Sequence, residues 1–346
     1  MVKRVFLILV VVVTVLFSAN GFSAPAEVGM GDLYHAAKAE GKVVWQFIGP
    51  VNLVKSVAEA FQTKYPDIKI SVFSYGATGI ATRIITEASA EKLSMDVAMS
   101  FPNYFIPLLE RNLLTKHDWT QIGVSKNNVL FDATSVAVQD VPYVWLYNTN
   151  LVSKGEVPKT WEDLLDLKWR GSKIAVRAAP SAFPSLFPAW KRDRQKVASY
   201  LDKLRRQEVV SSTRAAEVAA RVASGECLVG GVPVEVAIDT IKKNAPVGVC
   251  PIGPAAAAPA VVGIPQKVLN PNAAKLFIAW LSGPEGRDAY RKAGLGFAAP
   301  CHASPVAQLL CEHGISFTPI TSVEDVKEYA GDFGKMVVEK MGFLPE

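Results

Sequence analysis

The sequence predicts an α/β protein built as two units, each a mainly parallel sheet flanked by helices. Three observations carry this reading. Strand-like and helix-like periods alternate from residue 43 to residue 99, and a second alternation follows a change of texture near Val136. At 346 residues, half of them hydrophobic, the chain is also long for one compact core and comfortable for two.

The elements follow in order. Val43 to Ile48 is a β-rich run ended by Gly49-Pro50. Val54, Val57, Ala58, Phe61 and Tyr65 recur at helical spacing until Pro66 stops the pattern. Ile68 to Phe73 forms a second strand, interrupted by Gly76 and Gly79. Ile80, Ile84, Ala88 and Glu91 then mark a helix, and Asp96 to Met99 a third strand. This βαβαβ order implies a parallel sheet covered by helices. In the second unit, Val141 to Tyr147, Lys173 to Val176, Cys227 to Val229 and Val247 to Cys250 read as strands. Lys196 to Gln207, Thr213 to Ser224 and Pro233 to Lys243 read as helices. Pro251 to Pro259 carries four consecutive alanines and leads straight into a strand at Ala260 to Ile264, so it reads as a crossing back to the first unit. Ala273 to Leu281 and Glu285 to Ala293 are helical.

Lys3 and Arg4 precede an apolar run from Val5 to Phe17, and Ala24-Pro25-Ala26 offers a cleavage site before Glu27. That is the three-part pattern of a secretory leader, and the run is short for a membrane span. No cysteine stands near the cleavage site to take a lipid anchor. The formal charge of +5 falls to about +3 once the leader is removed, and the basic residues are spread out, which does not suggest nucleic acid. Export permits two disulfides among Cys227, Cys250, Cys301 and Cys311, and of the three pairings the sequence leaves open the favoured one is Cys227 with Cys250 and Cys301 with Cys311. His302 and His313 lie beside the second pair, but the spacing matches no familiar zinc pattern.

Ligands of open parallel sheets sit beyond the carboxyl ends of the strands. That rule selects residues 48–53, 74–79 and 100–103 from the first unit, and 177–185 and 230–235 from the second. Ser74, Gly76, Ala77, Thr78 and Gly79 stand at a helix start, where free backbone N–H groups favour a carboxylate, phosphate or phosphonate. The same geometry also suits ordinary capping by Thr78 or Ser74. No Lys follows as in a nucleotide-binding loop. Ser100 closes the third strand. Arg177 leaves a buried-looking strand, either facing an anionic ligand or forming a surface salt bridge. Glu235 falls in the first turn of a helix, where a carboxylate favours the dipole in any case. Tyr75, Tyr104 and Tyr143 are candidate pocket walls. None of the four histidines has the spacing of a metal pair or a triad, and neither G-x-S-x-G nor H-E-x-x-H occurs. No catalytic residue, metal or cofactor is expected.

Several stretches together resemble the extracellular solute-binding proteins of ABC importers, in the type II cluster that holds ferric-iron, polyamine, thiamine and phosphonate binders. They are Tyr75-Gly76-Ala77-Thr78-Gly79 running into Arg83 to Glu87, then Asp96-Val97, then Leu146 to Leu151. Val157 to Leu164 follows, continuing through Lys168 to Gly171, then Ser224-Gly225-Glu226, Pro271 to Phe277, Trp280-Leu281 and Gly283 to Gly286. The resemblance implies two lobes of the periplasmic-binding-protein type II fold joined by two extended hinge crossings. On that basis residues 1–26 are the leader, 27–138 and 262–346 the first lobe, and 139–261 the second. It further implies capture of a small solute in the interlobe cleft by a periplasmic monomer. Delivery would be to a permease with ATPase subunits in the inner membrane, without bond chemistry. Ferric-iron binders of this cluster use adjacent tyrosines after the Ser-Gly-Glu stretch, whereas residues 230–237 here contain none. The expected solute is therefore a small organic anion. A ferric-iron receptor with atypical ligands and an exported enzyme on the same fold are the alternatives.

Overall fold

The computed structural model describes residues 26–48, 51–75 and 77–343. All of the expected leader but its last residue, Ala26, lies outside these residues, as do Gly49-Pro50 and Gly76. In chain order the first lobe begins with α1 (Ala26–Glu40), β1 (Lys42–Phe47), α2 (Val51–Lys64), β2 (Lys69–Ser74), α3 (Ala77–Ser89), β3 (Val97–Ser100) and α4 (Pro102–Glu110). β4 (Val129–Leu130) and β5 (Ser135–Gln139) follow. The second lobe comprises β6 (Tyr143–Asn148), β7 (Ile174–Arg177), α5 (Phe187–Trp190), α6 (Arg194–Arg205), β8 (Val210–Ser212), α7 (Ala215–Ser224), β9 (Val229–Pro233), α8 (Val234–Lys242) and β10 (Val247–Cys250). The chain continues through β11 (Ala255–Ala257), β12 (Ala260–Gly263), α9 (Pro271–Ser282), α10 (Pro284–Lys292), α11 (Pro305–Glu312) and β13 (Phe317–Pro319). α12 (Val323–Glu328), a π-helical turn (Tyr329–Phe333) and α13 (Gly334–Met341) close it.

The six-stranded first sheet runs β2-β1-β3-β12-β5-β4, and the five-stranded second sheet runs β10-β6-β9-β7-β8. β1, β2 and β3 are parallel, as are β7, β8 and β9. Each sheet also takes in one central antiparallel strand, β12 in the first and β6 in the second. These are the strands that have just crossed from the other lobe. A chain entering a lobe at the cleft edge has to run away from it, whereas the parallel strands run towards it. Antiparallel insertion is thus the signature of the crossing. It also places the carboxyl ends of the two parallel sets face to face across residues 140–142 and 258–259.

Packing explains why these segments take these forms. The periodic positions Val54, Val57, Ala58 and Phe61 of α2, and Tyr65 just after it, are all buried. Phe61 meets Phe277 edge-on at 5.1 Å, and Trp45 lies 4.9 Å from Phe277, so α2, β1 and α9 share one aromatic core. α1, which has no clear apolar stripe, is fixed through Glu40. Its carboxylate accepts from Asn272 N at 3.0 Å and Ala273 N at 2.7 Å, satisfying the first turn of α9. Asp96, 2% exposed, accepts from Val44 N at 2.8 Å and from the Asn270 side chain at 2.9 Å, tying β1 to the start of α9. The alanine run is no flexible linker. Ala255–Ala257 is a buried strand paired with β13, and Ala256 N donates to Ser185 Oγ at 3.2 Å.

The chain passes between the lobes a third time, beyond the two expected crossings. α10 packs on α9 and α2, whereas α11 packs on α8 and α13 on α6. Residues 296–343, grouped by the sequence expectation with the first lobe, thus lay two of their helices on the second. Asp140 joins the first and third passages: its N–H donates to Gly296 O at 3.1 Å, and Ala298 N donates to its carboxylate at 2.9 Å. Burial pushes the Asp140 carboxyl up to about 6, against the opposing pull of that N–H.

Cys301 and Cys311 form the expected disulfide, with Cα atoms 5.8 Å apart. The expected Cys227–Cys250 pair does not form, and both thiols are buried and free. Sheet order explains the correction. Cys250 lies on β10 opposite Trp145, whereas Cys227 precedes β9, whose Val229 lies opposite Tyr147. β6 stands between them, so their separation is at least about two strand spacings, roughly 9–10 Å, too far for a disulfide. Cys227 Sγ instead donates to Ser172 O at 3.3 Å.

Candidate functional site

The opposed edges define the site. On the first lobe, β1, β2, β3 and β5 end at Phe47, Ser74, Ser100 and Gln139. On the second, β7, β8 and β9 end at Arg177, Ser212 and Pro233, while β6 starts there at Tyr143, opposite Pro233. Each sequence-selected residue can now be placed. Ser74 is the exposed last residue of β2, and Ser100 the fully buried last residue of β3. Gly76 lies outside the described residues. Ala77 and Thr78 open α3, and Gly79 is exposed in its first turn. Tyr75 is committed locally: the Arg83 guanidinium lies 4.7 Å above its ring and hydrogen-bonds its hydroxyl. Arg83 is in turn held by Glu87 at 2.6 Å.

The second lobe brings Tyr143, Arg177 and Glu235 together. Arg177 Nη1 donates to Ser181 Oγ at 3.1 Å, and Nε to Thr213 O at 3.4 Å. Burial raises the Tyr143 hydroxyl pKa, while the charge of Arg177 and hydrogen bonds with Arg177 and Ser181 oppose the rise. Glu235, the second residue of α8, is half-buried, and desolvation pushes its carboxyl up to about 7 despite its own backbone N–H. Tyr329 belongs to the same group. Burial raises its pKa first, the charges of Tyr143 and Tyr104 raise it further, and Arg177 lowers it. Chemically the second lobe offers a cation, an acid that titrates near neutrality and phenolic donors, all at one sheet edge.

Ser181 and Tyr329 are the members that residue-level reading did not single out. Ser181 lies inside the selected loop 177–185, but Tyr329 sits about 150 residues on, in a π-helical turn with no signature in the sequence. Residues 230–237 also acquire a physical reading. A side chain at Gly230 would meet Val222 at 2.8 Å and Val218 at 2.9 Å, because α7 presses directly on β9. That position has no room for a tyrosine. Two surface depressions, one lined by His117, Trp119 and Asp132 and the other by Arg291, His302 and Cys311, include none of the strand-end residues. Among the described residues, no group of three or more His, Cys, Asp or Glu is placed to hold a metal ion, and no helix is long and apolar enough to cross a membrane.

Two α/β lobes with confronting strand ends, joined by extended crossings, define a binding protein of the periplasmic type II architecture. Residues 56–306 match the family described as bacterial extracellular solute-binding protein, and the chain belongs to it. No curated protein matches the sequence. Among solved structures, the substrate-binding protein of an ABC transporter from Agrobacterium tumefaciens is similar, with a TM-score of 0.71 and 18% identity over 87% of this chain and 94% of that one. Iron-bound HitA from Pseudomonas aeruginosa gives 0.69 and 18% over 86% and 99%. AfuA from Actinobacillus pleuropneumoniae, with fructose-6-phosphate bound, gives 0.68 and 18% over 88% and 99%. At such identities the likeness speaks for the fold alone. The family is that of bacterial extracellular solute-binding proteins, and the fold is the one these structures share.

Proposed function

We infer that the protein captures a small organic anion, a carboxylate, phosphonate or phosphate ester, between its lobes and presents it to an ABC permease and its ATPase subunits. The observation that supports this best is that the α3 start follows the end of β2 in one sheet and Arg177 ends β7 in the other. Ser74, Ala77, Thr78 and Gly79 supply a helix terminus suited to negative charge. Ser100 floors the first-lobe edge, while Arg177, Tyr143 and Glu235 face it from the second lobe. Closure about residues 140–142 and 258–259 buries the solute and forms the surface a permease recognises. In this reading residues 1–26 are a cleaved leader and the mature monomer works in the periplasm. AfuA, which carries a sugar phosphate on the same fold, is in keeping with an anionic solute.

Native mass spectrometry of the purified protein reads the mass of any retained solute. A thermal-shift panel of carboxylates, phosphonates and phosphate esters then identifies the class. Uniform silence across the panel removes the anion reading. A solute that Arg177→Ala binds as tightly as the parent protein removes Arg177 from the site.

Ferric iron is a second reading, favoured by the gathering of Tyr104 and Tyr143, with Arg177, around Tyr329. Phenolates are hard oxygen donors, and these three come from elsewhere in the chain than the tyrosine-free residues 230–237. Iron-bound HitA shares the fold. Added ferric citrate that yields no visible phenolate-to-iron absorption band rules this reading out.

A further inference from the structure

The C-terminal segment touches both lobes, and it does so unequally. α12 lies along α4 of the first lobe, the π-turn packs on α5, and α13 packs on α6. On the second-lobe side the attachments interlock. Lys191 pairs with Asp325 at 2.7 Å and Glu328 at 3.3 Å, and Arg194 with Glu328 at 2.5 Å. Trp190 Nε1 also donates to Glu328 at 3.1 Å, and Lys340 pairs with Asp202 at 3.0 Å. Phe333, fully buried, sits between Phe187 and Trp190 with ring centroids 5.5 and 5.7 Å away. Towards the first lobe, fully buried Val326 shares an apolar cluster with Phe105 and Leu108 of α4, and Lys327 Nζ meets Glu110 Oε1 at 3.0 Å, with both of those charged side chains about half exposed.

We propose that Val323–Met341 is a strap that rides on the second lobe and latches the closed cleft to the first through α12, with Lys327–Glu110 as its releasable contact. The proposal rests on the hinge closure inferred above. A network sharing one carboxylate among three donors, backed by a buried phenylalanine, keeps its side of the strap in place. The α12–α4 side has one small apolar contact and one exposed ion pair, which contributes little, so it is the side that separates. The strap also carries Tyr329, whose ring lies 5.5 Å from that of Phe187, so its position sets one wall of the cleft. The extra residue of a π-turn changes the facing of the side chains around it, leaving Tyr329 half-buried at the cleft and Phe333 in the core.

The experiment uses the full mature chain, dialysed free of solute, with spin labels at Lys55→Cys on α2 and Lys243→Cys after α8. Both native side chains are well exposed, while Cys227 and Cys250 are buried and Cys301 is paired with Cys311. Pulsed dipolar spectroscopy then reads the interlobe distance. Lys327→Glu is expected to move the population from the shorter to the longer distance by up to about fivefold. Adding Glu110→Lys should restore it, a rescue from the opposite lobe that a role confined to the second lobe would not show. Glu110→Gln, which leaves the strap itself untouched, should shift the population in the same direction as Lys327→Glu. Two distances whose ratio ignores all these substitutions overturn the strap and leave hinge closure standing. A single distance in every variant overturns the strap, and one that also persists when the solute found by mass spectrometry is added back overturns hinge closure as well.

Discussion

The two lobes meet across the same cleft with different chemistry. The first presents strand ends and a helix start over an aromatic core in which Trp45, Phe61, Phe277 and Trp280 pack ring on ring. The second gathers at its strand ends side chains that titrate or carry charge, Arg177, Glu235 and Tyr143, with Tyr329 beside them. Backbone N–H groups hold a fixed partial charge whatever the pH, whereas a half-buried carboxyl does not. Any pH dependence of binding should therefore originate in the second lobe, and the largest stability losses in the first.

The strongest way to break that contrast is Phe277→Ala. Phe277 is fully buried between Trp45 and Phe61, so its loss should cost about 3–5 kcal/mol in denaturant melts. A loss below about 1 kcal/mol would mean that this core does not govern the first lobe's stability. Reducing Cys301–Cys311, which closes a short loop in the third passage, should cost roughly 2–3 kcal/mol by the chain-entropy argument, read as a lower midpoint in reductant. Arg177→Ala should weaken binding of an anionic solute by roughly 10- to 100-fold, as expected for a lost hydrogen bond to a charged group, while leaving the first lobe's unfolding unchanged. Calorimetry beside a thermal melt separates the two effects.

The smallest expected effect is the most selective. Burial keeps Glu235 protonated up to about 7 in the folded chain, against an ordinary value of 4.5. Its ionisation in the unfolded state therefore costs stability progressively from about pH 4.5 to about pH 7, and by a constant amount above that. Above the same pH the ionised carboxylate repels an anion. Affinity for an anionic solute should thus fall as pH rises through about 7, and Glu235→Gln should flatten the profile. An unflattened profile would move the pH dependence to another group, with Asp140 at the crossing as the next to test.

Much of the first lobe was legible in the sequence because β1, α2, β2, α3 and β3 follow one another with clean periods, and their apolar positions are the buried ones. α1 was not legible. Its placement depends on Glu40 capping a helix more than 200 residues away, which no local pattern carries. The rule of strand carboxyl ends selected Arg177 and Glu235, since it needs only the order of elements, but not Tyr143, which starts a strand beside them. It could not supply Tyr329, which reaches the cleft through the packing of the strap. The Cys227–Cys250 expectation failed for a related reason. Nearness in sequence said nothing of β6, an earlier strand, lying between them.

β12 reaches its place late. It fills the gap between β3 and β5, yet the chain reaches residue 260 only after the entire second sheet has been made. A chain emerging from its amino end therefore carries an unfinished first sheet, with two strand edges open, through most of its synthesis. Contacts so remote in sequence slow folding, because the loop has to close before they contribute. The same wiring that gives the cleft two facing edges thus keeps the first lobe incomplete until three-quarters of the polypeptide exists.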